Sequence, residues 1–177
     1  MKQKKIVRYR LGVSRVFPAT HPRKGEETNF DKKIHLTLMR IKSPGLSIKA
    51  TTQEGEELCP KIHTIRANYP LWERRMKKVQ AGEAVIELYY WQGKPYDSKQ
   101  IVFAILDKDS GCGVQKLEFL NGNFSDPVIM ESQSNPYLTR EALAKNDGLS
   151  LEDFKAWFKG YDLSKPMAII QFTEFRY

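Results

Sequence analysis

Sulfur and imidazole are scarce in these 177 residues, which hold two cysteines, Cys59 and Cys112, and three histidines, His21, His35 and His63. Two thiols close at most one bridge, which excludes a disulfide-stapled scaffold. Neither thiol stands at a metal-type spacing from the other or from a histidine, so no metal partner is expected and both cysteines read as free. Long apolar runs are missing too: no stretch approaches the roughly 20 residues that span a bilayer. The opening MKQKKIVRYR alternates charge where a signal peptide needs unbroken apolar chain. A cytoplasmic chain without a membrane partner is therefore expected, and the Asn123-Phe124-Ser125 sequon is read as a plain turn. There is no P-loop, no glycine-rich dinucleotide fingerprint, no serine elbow and no paired histidines on a helix, so no cofactor is expected. DKDSGCG at 107–113 fails as a calcium loop, because Gly111 and Cys112 stand where a ligand and a glycine are required, and it reads as a tight turn.

What the chain does have is charge and core. Hydrophobic residues make up 41% of it, enough for one domain over 1–177. The formal net charge of +8 is uneven: residues 1–80 hold 19 Lys/Arg against 7 Asp/Glu, whereas residues 81–177 hold 10 against 14. A basic surface confined to one half suits a polyanion such as RNA, since each phosphate contact releases counterions.

Hydrophobic periodicity sets out the elements. Residues 6–17 alternate as a strand, with Val7, Tyr9, Leu11 and Val13 on one face and Arg8 and Arg10 on the other. A charged loop follows, FDKKI begins a short helix, and residues 35–60 read as an insertion with a short strand at LSIKA. KIHTIRA is a strand; YPLWERRMKKVQAG is a helix opened by a proline and closed at Gly82, carrying Arg74, Arg75, Lys77 and Lys78. AVIELYYW and QIVFAIL are strands, the second apolar on both faces and hence expected at a sheet centre. VQKLEF is a further strand and VIMESQ a weaker one. Thr139 and Ser150 cap two helices that stop at Gly148 and Gly160, and MAIIQFTEF closes the chain as an alternating strand. Strands with interspersed helices and no βαβ rhythm predict an α+β fold with a small, mostly antiparallel barrel.

KIHTIR, residues 61–66, sets a lysine, a threonine and an arginine among isoleucines, a pattern suited neither to a buried nor to a solvated strand. Residues three apart on a strand face opposite sides, so Lys61 and Thr64 cooperate only if Lys61 precedes the strand, which Pro60 favours; Thr64 and Arg66 share a face. His63 faces away from Thr64 and reads as a satisfied, partly buried imidazole. Lys61, Arg66 and Arg15 are phosphate-binding candidates, Thr64 is suited to a base edge or sugar, and Arg74, Arg75, Lys77 and Lys78 to a nucleic-acid backbone. Tyr89, Tyr90, Trp91 and Trp72 are stacking candidates that core packing accounts for equally well.

The order Lys-x-x-Thr-x-Arg, charged helix, glycine, apolar strand, then AKNDGLSLEDF and a closing IIQF resembles the ASCH domain, a relative of the PUA RNA-binding domain. The resemblance spans residues 6–177 with 35–60 as an insertion. It implies a PUA-like β-barrel whose cleft binds RNA or a modified nucleotide. One subgroup of that layout hydrolyses N4-acetylcytidine. Its lysine and threonine match Lys61 and Thr64, and its glutamate falls on Asp147, one methylene shorter. The resemblance thus implies Lys61 as base, Thr64 as nucleophile and Asp147 as proton-transfer partner, if the protein is an amidohydrolase. A protein- or peptide-docking module is the third reading.

Overall fold

The computed structural model describes residues 5–122, 127–129 and 138–177. Seven strands and four helices are present among them: β1 Val7–Gly12, α1 Phe30–Lys42, β2 His63–Ala67, α2 Tyr69–Gln80, β3 Ala84–Trp91, β4 Gln100–Leu106, β5 Gly113–Phe119, β6 Pro127–Ile129, α3 Arg140–Asn146, α4 Leu151–Trp157 and β7 Met167–Gln171. The fold is α+β. The strands form two sheets, ordered β1-β3-β4 and β2-β7-β5-β6, in which every pairing is antiparallel except β1 with β3. Among the described residues no ladder joins the two sheets into a closed barrel.

α2 lies between them. Its buried Tyr69, Trp72, Met76 and Val79 recur at helical spacing, and the helix touches β3 on one side and β5 and β7 on the other. Its start is set by Asn68, in the left-handed region at φ 65°, whose side chain accepts from Leu71 N, with Pro70 in the first turn. Each of those side chains adds about 1.5–3 kcal/mol by leaving water. Trp72 is therefore core.

Several expectations change. β4 is an edge strand, not a central one: Val102 and Ile105 are exposed, and β3 takes the centre of its sheet. Apolar residues on both faces of one strand cannot say which neighbour will pair with it. β7 is one of the two inner strands of the other sheet, buried at all five positions instead of alternating. Residues 35–42 continue α1, where Phe30, Ile34 and Thr37 make one buried stripe. LSIKA forms no strand; residues 43–60 carry one isolated bridge, Thr51 to Glu57. The VIMESQ strand is seen as β6, and its remainder, like the sequon at 123–125, lies outside the described residues. At 107–110, Asp107 Oδ1 accepts from Asp109 N and Ser110 Oγ, the tight turn expected there.

Candidate functional site

Lys61 stands before β2, not in it, and the chain there is pinned from three directions. Lys61 N donates to Lys33 O of α1, Ile62 N donates to Asn146 O of α3, and Phe172 N donates to Ile62 O. Thr37 Oγ1 donates to Lys61 O at 2.9 Å. Freed from strand alternation, the Lys61 side chain turns inward to 1% exposure. Its amine donates to the Asp147 carboxylate and, at 2.6 Å, to the Asp147 carbonyl, and lies 4.2 Å from the centre of the Phe30 ring. The aspartate therefore reaches the lysine despite its shorter side chain. It does so because α3 ends there: Asp147 is the C-cap, and Gly148 at φ 74° turns the chain so that both Asp147 acceptors face the amine.

Gly148 is required for packing as well. A Cβ there would stand 3.1 Å from Lys61 Cβ and 3.3 Å from Lys33 Cδ. Gly148→Ala is expected to lower the unfolding free energy by about 1–2 kcal/mol, the cost of a left-handed non-glycine residue, read as a lower urea midpoint at unchanged slope.

Burial dominates the electrostatics. It pulls Lys61 down to about 8, against the opposing pull of Asp147, and the nearby Arg66 and Lys33 lower it further. The Asp147 carboxyl is raised by the same burial, with Lys61, Arg66 and Lys33 opposing. His63 is fully buried and held well below its ordinary value by desolvation and then by Lys61, so it is neutral. It is not the satisfied imidazole expected. Nε2 lies 2.7 Å from the Tyr177 hydroxyl, which accepts from Asn146 Nδ2 and has its own proton to donate to Nε2, whereas Nδ1 has no hydrogen-bond partner among the described residues. Nδ1 lies 3.7 Å from Asp147 Oδ1, so the tautomer with its proton on Nδ1 is favoured: an N–H facing a carboxylate is attractive and a lone pair is not.

Thr64 and Arg66 form a separate pair. Arg66 Nη1 donates to Thr64 Oγ1 and to Ile65 O, and Nη2 donates to Gly12 O at 2.6 Å. Since β1 and β2 are both edge strands, this guanidinium spans the seam between the two sheets. Burial lowers Arg66 while Asp147, Tyr161 and Tyr89 oppose. Lys61 with Asp147 and Thr64 with Arg66 are thus two neighbouring polar clusters instead of three groups opening on one hollow. Arg15 is exposed, its guanidinium over the Tyr90 ring at 5.1 Å. On α2, Arg74 and Lys78 are exposed, Lys77 pairs with Glu73, and Arg75 packs over Tyr9 and Trp72.

A cleft of about 380 Å³ between the 17–29 loop, the 52–59 excursion and the starts of α1 and α4 adjoins the Lys61–Asp147 pair. Lys33 and Gly148 form its floor, so Lys61 and Asp147 lie directly behind its wall. Arg23, Lys33 and Lys145 line it together with Glu27, Glu56, Glu57 and Asp153, and Arg23 Nη1 donates to Asp153 Oδ2 at 2.8 Å. Lys33 Nζ donates to Gly148 O at 2.7 Å, and desolvation lowers its pKa. Lys33, Asn146 and Tyr177 were not singled out from the sequence. Lys33 carries no signal beyond its helical phase, and Tyr177 none at all; Asn146 precedes the Asp-Gly that ends α3. Among the described residues no group of three or more His, Cys, Asp or Glu is placed to hold a metal ion, and no helix is long and apolar enough to cross a membrane.

Comparison with family models, with curated proteins and with solved structures found no match to this chain.

Proposed function

We propose that this chain is an ASCH/PUA-like module that binds a modified nucleoside, free or within RNA, in the cleft over Lys33 and Gly148. In this reading the two sheets are an open barrel whose seam is bridged by Arg66. The observation that carries it is the position of the cleft: a ligand-sized concavity backed directly by the Lys61–Asp147 pair to which the family resemblance points. Its mixed charge also supports a nucleoside over bare phosphate, because the lining offers carboxylate acceptors as well as cationic donors. The many donors and acceptors suit a base edge and ribose, while the exposed Arg74 and Lys78 lie outside the cleft as contacts for an attached strand.

Calorimetric titration with cytidine and N4-acetylcytidine tests the reading. Saturable binding that Gly148→Val abolishes, in a variant shown to be folded by circular dichroism, is the expected result. Absence of saturable binding to both nucleosides would overturn it.

A second reading, hydrolysis of the N4-acyl amide, is favoured by one observation: Lys61, pulled to about 8 and touching Asp147, is partly unprotonated near neutrality and has an acid–base partner. Acetate release from N4-acetylcytidine is then expected to climb with pH through about 8 as Lys61 loses its proton. Turnover unaltered by Lys61→Ala would remove this mechanism.

A further inference from the structure

The outer face of the β1-β3-β4 sheet carries a row of aromatic rings flanked by arginines that the core does not use. In β3, Ile86 and Leu88 are fully buried and Tyr90 packs on the core, whereas Tyr89 and Trp91 project to the opposite face and are not part of the core cluster. The bulge in the β3–β4 pairing leaves Phe103 of β4 unopposed, so β3 keeps its alternation through this stretch. Tyr89 and Trp91 meet edge to face, centroids 5.9 Å apart, and Tyr96 from the following turn meets Trp91 at 5.3 Å.

Two features of this row are unexplained by sheet packing. Tyr96 is 88% exposed and sits at φ 69°, a backbone conformation that costs a non-glycine residue about 1–2 kcal/mol. Two same-face neighbours on β3 account for the Tyr89–Trp91 pair but not for holding a third ring out in water at that cost. The second feature is Glu87, only 4% exposed, on the same face as Tyr89. Arg8 Nη1 lies 2.5 Å from its Oε1 and Arg10 Nε 2.8 Å from its Oε2, yet both guanidinium side chains remain about half exposed or more. Arg10 continues across β3 to donate to Gln100 Oε1 of β4, with its guanidinium 5.8 Å from the Tyr89 ring centre. A buried carboxylate thus fixes two arginines beside the rings while leaving donors free for another acceptor.

The row also has a direction. Gly12 of β1 stands opposite Tyr89, and a Cβ there would lie 3.1 Å from the ring, so glycine lets the ring lie across β1. The Gly12 carbonyl is the one that Arg66 binds. Tyr96, Trp91, Tyr89 and Arg66 therefore form one track running from the turn at 92–99 to the seam.

We infer that this face is a stacking platform for single-stranded nucleic acid, its bases laid on Tyr96, Trp91 and Tyr89 and its phosphates met by Arg10 and Arg8. Flat rings in series beside fixed guanidinium groups are what a flexible, unpaired polyanion recognises, because every base offers a π-face and every linkage a charge. The surface is separate from the cleft over Gly148 and stands whether or not that cleft takes a nucleoside.

Fluorescence anisotropy of the full chain with a labelled twelve-nucleotide single-stranded RNA, at low and raised salt, tests the platform. Tyr96→Ala and Trp91→Ala are each expected to weaken binding by about 10- to 100-fold, and a duplex of the same length to bind at least about tenfold more weakly because its bases are already stacked. Tyr96 is so exposed that its removal leaves the fold intact, which keeps the test decisive should Trp91→Ala unfold. Unchanged RNA affinity in Tyr96→Ala, or equal affinity for the duplex, would overturn the proposal. Nucleoside titration of the same variants separates the two surfaces. Loss of RNA binding with nucleoside binding intact supports the platform. RNA binding that depends on Tyr96 without any nucleoside binding supports it too, while sinking the cleft.

Discussion

Asp147→Ala is expected to lower the unfolding free energy by about 3–5 kcal/mol, a large fraction of a typical domain's stability. The substitution leaves the Lys61 amine facing one backbone carbonyl and the Phe30 ring, with almost no water within reach. Most of the effect is that stranded charge, not the worth of the pair. Lys61→Met combined with Asp147→Leu is accordingly expected to recover most of the loss, since two apolar side chains carry no desolvation cost. A double-mutant cycle by urea unfolding checks this; a double variant as unstable as Asp147→Ala would mean that the pair itself holds the fold.

The same pair dictates a pH dependence. Lys61 titrates near 8 in the folded chain and near 10.5 when unfolded, so between those values the unfolded chain binds the extra proton and stability rises with pH. The rise is on the order of 3 kcal/mol and should vanish in Lys61→Met. Asp147 acts in the opposite sense at acid pH: its folded value is raised, so stability falls as pH climbs from the unfolded value of 3.8 through the folded one.

Arg66→Ala is expected to cost about 2–3 kcal/mol, because it removes charge-assisted hydrogen bonds to Gly12 O, Ile65 O and Thr64 Oγ1. The damage should be local to the seam. Amide exchange is expected to quicken in β1 and β2, the two edges the guanidinium joins, while β3 and β7 keep their protection. Arg66→Lys should restore less than half of the loss, since a point charge cannot reach three acceptors in different directions. Equal exchange in all four strands would show that Arg66 does not link the sheets.

How much of this was legible beforehand depended on distance along the chain. The start and end of α2 could be read from Pro70 and Gly82, and the caps of α3 and α4 from Thr139 and Ser150, because capping is satisfied within a few residues. Pro60 favoured a place for Lys61 ahead of the strand, yet the apolar pattern of KIHTIRA started the strand at Lys61, two residues before β2 begins. Sheet order did not follow. β4 is as apolar as β7, and only the partners each finds far away put one at an edge and the other at an inner place. The candidate site was half visible: the resemblance paired Lys61 with Asp147, but nothing local foretold that Gly148 and Phe30 would shut the amine in, or that Tyr177 would reach His63. Periodicity reports which face of an element is apolar, and is silent on what covers it.

The pairing of β2 has a consequence for how the chain comes to be folded. Among the described strands its one neighbour is β7, with His63 opposite Gln171, and the ladder that holds β5 runs through the same strand. About 100 residues separate β2 from its partner, so one sheet must wait for the last strand to be synthesised while the other, complete by Leu106, can form ahead of it. Until then Ile65 and its neighbours have no mate, and a ribosome pausing before residue 167 would hold a nascent protein with one layer formed and an adhesive half-built second one.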